Sequence, residues 1–255
     1  MKECSDDIPM PDVPPDYAVL SKLFPAYVHL ACMRVQDAPP DVLDAERSLI
    51  KKAVEKRRRE FSAGRYCARQ ALKALGFEDT PIMHDQNGAP LWPQGIVGSI
   101  THSTTHAAAA VAQDSRLHGL GIDMETVSRV SPAITNKILT APELATLQCH
   151  PDPAEQQRLL ALLFSAKESI YKCLHPLLQC RISFEDAHIE CGPDPNSITI
   201  IMCPRIQSAL PGAEHLRGSY CYFNDTVCTA VWLGKKACGK TTAKGFTIMH
   251  SYANE

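Results

Sequence analysis

The sequence has little that marks a protein for export or for a membrane. Its first thirty residues contain five prolines and no long apolar run, whereas a signal peptide needs an apolar stretch after a basic start. No segment of the chain approaches the ~18 to 20 consecutive apolar residues of a membrane span. We therefore expect a cytoplasmic protein without a membrane span.

Paired cysteine motifs are also absent. The chain has 11 cysteines, an odd number, and no two of them are spaced as Cys-x-x-Cys. This spacing argues against the common zinc sites and against a disulfide framework. We expect free thiols in a reducing compartment, most of them buried as small apolar side chains.

Neither sign of charge dominates, and aromatic residues are scarce. The formal net charge is −2 and aromatic residues make up 6% of the chain. These values argue against broad, sequence-independent binding of nucleic acid, which needs a basic surface and base-stacking side chains. Apolar residues make up 45% of the 255, which suffices for one large domain or two modest ones.

The apolar pattern predicts an α+β fold in which a helix and then strands occur twice. Helices are predicted over 41–75, 133–148 and 154–174. Gly64 is predicted to divide the first helix and Gly76 to cap it. A loop and hairpin are predicted over 82–93. Strands are predicted over 27–33, 96–103, 117–123, 182–189 and 197–202, with a strand or helix over 105–113 and a hairpin over 218–233 that turns at Asn224 and Asp225.

Three acids and one amine stand in two separate segments. Asp123 and Glu125 are two residues apart at the end of a predicted strand, so both side chains point to the same side. Glu168 and Lys172 lie one turn apart on the predicted helix 154–174. Each pair alone is also typical of a turn or of a solvated ion pair. Together they predict a divalent-cation site suited to chemistry on a phosphate ester.

The basic stretch over 51–69 allows two interpretations. A charge run on a helix is typically a solvated face. However, Arg57 and Arg65 are eight residues apart and so lie on one side of a helix, where two guanidinium groups can clamp a phosphate. A predicted tight loop over 98–103 adds two hydroxyls and an imidazole, from Ser99, Thr101 and His102.

Four segments, in order, resemble the 4′-phosphopantetheinyl transferases, most closely those of the enterobactin synthase component D type. They are Lys56-Arg-Arg-Arg-Glu-Phe61-x-x-Gly64-Arg65-x-Cys67-Ala-Arg69, Ala89-Pro-Leu-Trp92-Pro-x-Gly95-x-Val97-Gly-Ser99-Ile-Thr101-His102, Gly121-Ile-Asp-Met-Glu125 and Phe164-Ser-x-Lys167-Glu168-Ser-x-Tyr-Lys172. The resemblance covers residues 56 to 172, and four such segments in family order are highly specific.

The resemblance implies a monomer of two similar, pseudo-symmetric α/β halves with the active site in the cleft between them. Residues 1–118 would form the N-terminal half, on the 3′-phosphate and adenine side of coenzyme A. Residues 119–234 would carry the metal and catalytic residues. Residues 235–255, with several lysines, are predicted to be a mobile basic tail.

The resemblance also implies a role for each candidate residue. Asp123, Glu125 and Glu168 would hold Mg²⁺ against the pyrophosphate of the substrate coenzyme A, which Lys172 would also contact. Glu168 would act as the base, directly or through a water, and Lys172 would neutralise or protonate the leaving phosphate. The 3′-phosphate and adenosine end would be held by Arg57, Arg65, Ser99, Thr101 and His102.

The implied reaction moves the phosphopantetheine arm to a serine of an apo acyl or peptidyl carrier protein and releases adenosine 3′,5′-bisphosphate. One alternative, a metal-dependent nuclease or phosphodiesterase, would use the same three acids and Lys172. Another is an inactive carrier-protein binder, which would not need Asp123 and Glu168. One departure is that residues 84–88 offer only His84 where a basic coenzyme contact is often found. The carrier protein, a siderophore or polyketide pathway, and the choice between Mg²⁺ and Mn²⁺ stay open.

Overall fold

The computed structural model describes residues 17–38, 42–178 and 180–235, so the predicted tail lies almost entirely outside the described residues. The α-helices are α1 (Tyr17–Leu20), α2 (Glu55–Lys73), α3 (Thr135–Ile138), α4 (Ala141–Cys149), α5 (Pro153–Leu174) and α6 (Pro204–Ala209). The strands are β1 (His29–Arg34), β2 (Met83–His84), β3 (Pro90–Leu91), β4 (Ile96–His102), β5 (His106–Gln113), β6 (Leu117–Thr126), β7 (Ala187–Cys191), β8 (Ser197–Met202), β9 (Leu216–Phe223) and β10 (Thr226–Gly234).

The first half packs one long helix on a small antiparallel sheet. The sheet has the strand order β1-β5-β4, and α2 lies against it. The central strand β5 carries six fully buried residues in a row, Ala107 to Ala112. Alternate residues of this run contact different cores, one of which includes α2. The alanines leave room for close packing on both faces of the sheet.

The second half repeats this arrangement with a larger sheet. Its strands are all antiparallel in the order β6-β10-β9-β8-β7, and α5 lies mainly across β6 and β10. The apolar face of α5, including Leu160, Leu163, Ile170 and Leu174, packs into the core of this half. The predicted α+β fold with two similar halves is thus confirmed.

Strand β6 connects the two halves. It pairs with β10 in the second sheet and also packs against β4 of the first. The backbone N–H of Ile122 on β6 donates a hydrogen bond of 3.1 Å to Ser99 Oγ on β4. The residues just beyond Ile122 on β6 therefore lie beside the first half. The division at residue 118 stays a prediction.

Two predictions about the first helix are wrong. Residues 41–75 do not form one helix, because Asp44–Ile50 is a separate 3₁₀ helix whose buried Glu46 binds Ile82 N at 2.8 Å. Gly64 does not divide α2. A Cβ there would lie 2.9 Å from Ile100, so the glycine allows close packing of the unbroken helix on β4. Gly76 does follow the helix end, with φ of +84°.

The second half needs two smaller corrections. The predicted helix over 133–148 is interrupted, because Thr140 and Glu143 form a capping box that starts α4 anew. The strand predicted from 182 begins only at Ala187, after a 3₁₀ turn over Phe184–Asp186. The hairpin over 82–93, the helix 154–174, the strand 197–202 and the hairpin turning at 224–225 are confirmed. Within the described ranges, no helix is long and apolar enough to cross a membrane.

Candidate active site

A cleft of about 230 Å³ lies between the two halves. One wall comes from α5 and the residues that follow it. The other comes from the β2–β3 turn, Trp92 and β4. A Cβ on Gly98 would lie 2.7 Å from the Trp92 ring, so this glycine allows the indole to pack on the strand. The lining residues that carry polar side chains are Asn87, Trp92, Ser99, Glu168, Tyr171, Lys172 and His175.

The amine of Lys172 pairs with an acid from the other segment and not with Glu168 on its own helix. Its Nζ lies 2.7 Å from Asp123 Oδ1 and donates to the carbonyl oxygen of Ile122 at 3.2 Å. The side chain of Lys172 is 28% exposed and that of Asp123 is 7% exposed. The contact joins α5 to the end of β6, so the two sequence segments do converge.

One oxygen of Asp123 is left without a protein partner. Oδ1 accepts from Lys172 and, at 3.3 Å, from Thr101 Oγ1 on β4. Oδ2 is buried and has no hydrogen-bond partner among the described residues. A buried carboxylate oxygen without a donor is energetically costly. A cation or a donor supplied by a ligand would relieve that cost.

Glu125 and Glu168 experience the charge of Asp123. The pKa of Glu125 is raised to about 7, first by burial and then by the charge of Asp123. The pKa of Glu168 is raised for the same two reasons, in the same order. The positive charge of Lys172 lowers the pKa of both groups but does not outweigh these effects.

The three acids fit a divalent cation in their chemistry. They are carboxylates in a partly buried site, two of them have raised pKa values, and one has an unpartnered oxygen. Hard oxygen donors of this kind suit Mg²⁺. Within the residues that the structure describes, however, no three His, Cys, Asp or Glu side chains are grouped so that they could hold a metal ion, so the acids fit the cation in their chemistry and not as a preformed ligand set.

Arg57 and His102 lie together at the start of α2. The guanidinium Nη1 of Arg57 contacts Nε2 of His102, and Glu60 lies 3.6 Å from Arg57 and 3.7 Å from His102. The pKa of His102 is lowered, mainly by burial and then by the charge of Arg57. A neutral ring can donate its ring N–H to an oxygen of a phosphate ester, as can the half-exposed guanidinium beside it.

Arg65 occupies a different environment from Arg57. It is 7% exposed, its guanidinium lies 4.4 Å from the Phe61 ring centroid, and its Nε has no hydrogen-bond partner among the described residues. Burial is the main cause that lowers the pKa of Arg65, to about 10. Arg57 and Arg65 thus share one helix, but they do not form the paired exposed clamp that their spacing suggested.

Ser99 and Thr101 lie in a strand, so the strand predicted over 96–103 is confirmed and the tight loop predicted over 98–103 is wrong. Both belong to β4, are 3% exposed and direct their hydroxyls at β6. Pairing with the alanine-rich β5 keeps this polar segment extended. Thr101 reaches Asp123, and His102 lies at the end of the strand beside Arg57.

Sequence reasoning did not identify several side chains of this region. Glu60 is one, although its spacing of three from Arg57 was a usable signal. Tyr171 and His175 are others; their rings lie 4.9 Å apart in the wall of the cleft. Their positions three and seven residues after Glu168 on α5 could have indicated this, because such residues share a helix face.

Comparison with known proteins decides the family. Residues 45–112 match the model of the 4′-phosphopantetheinyl transferase N-terminal domain, and residues 119–231 match the 4′-phosphopantetheinyl transferase superfamily. The chain belongs to the 4′-phosphopantetheinyl transferase superfamily. The second of these matches contains Asp123, Glu125, Glu168 and Lys172, and the first contains the Arg57–His102 region.

Several phosphopantetheinyl transferases are similar over much of the chain. The protein PptT of Mycobacterium tuberculosis is 34% identical over 225 residues, which cover 84% of this chain and 98% of that protein. Npt of Nocardia iowensis is 42% identical over 57% of this chain and 64% of its own length. Enterobactin synthase component D of Escherichia coli is 34% identical over 48% of this chain and 57% of its own length.

Solved structures of holo-[acyl-carrier-protein] synthases are more distant from this phosphopantetheinyl transferase. The Thermotoga maritima protein is 21% identical, with 47% of this chain and 65% of that chain aligned and a TM-score of 0.39. That score is too low for the comparison to add to the fold described above. The ring of His84 hydrogen-bonds to Asp85 O at 2.7 Å, and which residue replaces the basic coenzyme contact stays open.

Proposed function

We propose that this protein transfers the 4′-phosphopantetheine arm of coenzyme A to a serine of an apo acyl or peptidyl carrier protein. The reaction would require Mg²⁺ and release adenosine 3′,5′-bisphosphate. The observation that carries the proposal is that Glu168 and Lys172 line one cleft of a phosphopantetheinyl transferase and that Lys172 there contacts Asp123.

The serine hydroxyl of the carrier needs a base, because it is a weak nucleophile at neutral pH. Glu168 lines the cleft, and its raised pKa brings it closer to neutral pH, where a base is most effective. Glu168 would take the serine proton as the serine oxygen forms a bond to the β-phosphorus. The bond from that phosphorus to the bridging oxygen of the pyrophosphate then breaks.

Lys172 is suited to the leaving side of the reaction. Its ammonium group is oriented by Asp123 Oδ1 and by the Ile122 carbonyl oxygen, so only part of its donor capacity is used. The remaining donor can neutralise the charge that develops on the phosphate of the departing adenosine 3′,5′-bisphosphate, or protonate it.

Asp123, Glu125 and Glu168 would hold Mg²⁺, which when bound supplies charge stabilisation to the pyrophosphate. The support is the unpartnered Oδ2 of Asp123 together with the raised pKa values of Glu125 and Glu168. In this proposal the second half of the chain, 119–234, carries the metal and catalytic residues. The first half, 1–118, holds the adenosine end.

Arg57, Arg65 and His102 would hold the 3′-phosphate and adenosine. Ser99 and Thr101 would support this site from β4. The support for this assignment is the contact of Arg57 with His102, the last residue of β4. Because the Ser99 hydroxyl accepts from Ile122 N and the Thr101 hydroxyl donates to Asp123, we assign these two residues to aligning β6 with β4.

The proposed reaction can be tested directly by measuring the mass of the carrier protein. The protein is incubated with coenzyme A, Mg²⁺ and purified apo carrier proteins of peptide-synthetase, polyketide and fatty-acid type, and each carrier is weighed by mass spectrometry. We expect a gain equal to one phosphopantetheine arm on a serine, and its size across the three carriers ranks the substrates. No gain on any carrier, together with cleavage of DNA or RNA, would favour the nuclease alternative instead.

Two arginines of the basic stretch that such a nuclease would use form ion pairs within the protein. Arg59 pairs with Glu55, and Arg69 is buried against Glu46, both at 2.9 Å.

The proposed setting is the cytoplasm, where buried cysteines stay reduced. Burial raises the pKa of Cys67 and Cys173 far above the usual thiol range, which is typical of inert structural thiols. A monomeric state remains a prediction that size-exclusion chromatography can test.

Replacing Arg57 should raise the KM for coenzyme A but not the KM for dephospho-coenzyme A. We expect Arg57→Ala to raise the KM for coenzyme A by about 10-fold or more, because a charged hydrogen bond to the 3′-phosphate is lost. The KM for dephospho-coenzyme A should change little. Arg59→Ala, whose guanidinium pairs with Glu55, is the matched control and should leave the ratio unchanged. An equal rise for both substrates would remove Arg57 from the 3′-phosphate.

Mg²⁺ should stabilise the folded protein more at about pH 8 than at about pH 5.5. The raised pKa of Glu125 means that the folded state binds a proton more tightly than the unfolded state. This contribution to stability is complete below the unfolded pKa of 4.5 and is lost as the pH rises through about 7. Above that pH the Glu125 carboxylate is ionised and free to bind the cation.

The measurement is the melting temperature with and without Mg²⁺ at the two pH values. Glu125→Gln should reduce the shift at the higher pH, whereas Glu155→Gln, on the exposed start of α5, should not. A wild-type shift of the same size at both pH values would contradict the assignment of Glu125.

A further inference from the structure

Three fully buried hydroxyls join α5 to β10 directly beside the candidate site. Ser165 and Ser169 are on α5, Thr229 is on β10, and all three are 0% exposed. Ser165 Oγ lies 2.9 Å from Thr229 Oγ1, and Ser169 Oγ lies 2.8 Å from the same atom. Ser169 also donates to the carbonyl oxygen of Thr229 at 3.1 Å. We call these three residues the hydroxyl lock.

The hydroxyl lock can use all three of its hydrogens at once. The hydrogen of Ser169 is taken by the Thr229 carbonyl, so Thr229 Oγ1 donates to Ser169 Oγ. Thr229 Oγ1 then accepts from Ser165. Each hydroxyl therefore has a defined direction, and a sliding or rotation of α5 would leave buried groups unpaired.

The hydroxyl lock lies next to the acid that Lys172 contacts. Thr229 is directly opposite Asp123 in the β10–β6 pair, and opposite residues of an antiparallel pair lie on the same face. On α5, Lys172 follows Ser169 by three residues, so the two share one side of the helix. The same face of the sheet thus bears Thr229 against two serines and Asp123 against Lys172.

Two glycines bring the helix close enough for these contacts. A Cβ on Gly121 would lie 1.9 Å from the carbonyl oxygen of Ser169, and a Cβ on Gly119 would lie 2.4 Å from that of Cys173. Alternation along β6 places Gly119, Gly121 and Asp123 on the face that α5 covers. The glycines set how near α5 lies, but a smooth glycine surface does not set its position along the strand.

We infer that the hydroxyl lock fixes the position of α5 along the sheet, and that Thr229 is thereby a positioning residue for Glu168 and Lys172. Thr229 does not line the cleft, so it would act through the two α5 residues that do. This inference deepens the proposed function and rests on it for its kinetic readout. A misplacement of about 1 Å can cost about 10²-fold in rate.

The kinetic test compares Thr229→Val, which keeps the side-chain shape, with Thr229→Ser, which keeps the hydroxyl. We expect Thr229→Val to lower kcat by about 10-fold or more while the KM for coenzyme A stays within about 3-fold, because catalytic groups move and the adenosine site does not. Thr229→Ser should restore most of kcat. Thr226→Val is the matched control: Thr226 is a buried threonine of the same strand that is outside the hydroxyl lock, and its variant should match wild type.

A second variant tests whether the lower kcat of Thr229→Val results from loss of folding. The triple variant Ser165→Ala, Ser169→Ala and Thr229→Val leaves no buried hydroxyl unpaired, so it should fold well. We expect it to melt near the wild-type temperature and still to show the reduced kcat. If the triple variant has full activity, or if the kcat of Thr229→Val is unchanged, the inference is overturned.

A structural readout separates this inference from the proposed function. In crystals of Thr229→Val we expect the Lys172 Nζ to Asp123 Oδ1 distance to exceed 4 Å, compared with 2.7 Å here. An unchanged contact would overturn the inference whatever the activity. If wild-type protein modifies no carrier but the contact does lengthen, the proposed function fails and the positioning role stands.

Discussion

Glu168→Gln is expected to lower kcat for arm transfer by about 10²–10⁴-fold, the usual contribution of a positioned general base. The amide keeps the size of the side chain but cannot accept a proton. The KM for coenzyme A should change much less, because the adenosine end is assigned to the first half of the chain. Single-turnover transfer to an apo carrier, followed by mass spectrometry, measures the chemical step without product release.

The fold should tolerate this change. Burial and the charge of Asp123 raise the pKa of Glu168, so ionised Glu168 is held at a cost that the neutral amide removes. We expect the melting temperature to stay equal or to rise. Glu155→Gln, on the same helix and paired with Arg158 at the surface, is the matched control and should keep full activity. Near-normal turnover of Glu168→Gln would refute Glu168 as the base.

Local spacing predicted the elements that carry the site better than it predicted their contacts. The helix around Glu168 and Lys172 was recognisable because its apolar residues recur at helical intervals and a proline follows its end. The strand that carries Asp123 was recognisable from its apolar run. Both elements could therefore be predicted from the sequence, and the expectation that they meet came from the chemistry of their acids and amine, to which the family resemblance added.

The contact partner of Lys172 shows where such reasoning stops. The four-residue spacing favoured an ion pair with Glu168, whereas Lys172 binds Asp123, 49 residues away. A long-range contact depends on how α5 lies on β6, and that depends on Gly121 and on the buried hydroxyls of Ser169 and Thr229. None of these has a local signal, since serine and threonine on a helix or strand are ordinary surface residues by composition.

The misplaced loop at Ser99 and Thr101 has a similar origin. Glycine, serine and threonine in succession indicate a turn when only neighbours are considered. Here Gly98 makes room for the Trp92 ring, and the hydroxyls of the other two bond to β6. The segment is extended because tertiary partners satisfy its polar groups, which is why strand preference depends so strongly on context.

Asp123→Ala is expected to lower kcat by at least about 10²-fold, because it removes one of the three acids that would hold the cation and also the acceptor that orients Lys172. It should also abolish the stabilisation by Mg²⁺ at about pH 8, whereas Glu168→Gln, which keeps one oxygen donor, should only reduce it. Melting curves with and without the cation, measured beside the transfer assay, distinguish the two variants.

The folded state should survive the loss of Asp123. Its Oδ2 is buried without a partner among the described residues, so removing the carboxylate also removes a desolvation cost. Lys172 is partly exposed and can turn its ammonium to water, while Thr101 loses only a weak acceptor at 3.3 Å. Asp225→Ala, which breaks only the contact of the β9–β10 turn with Ser128, is the matched control and should transfer normally. If Asp123→Ala keeps both its turnover and its stabilisation by Mg²⁺, the cation does not bind at this acid, and the assignment of the metal to this cleft is wrong.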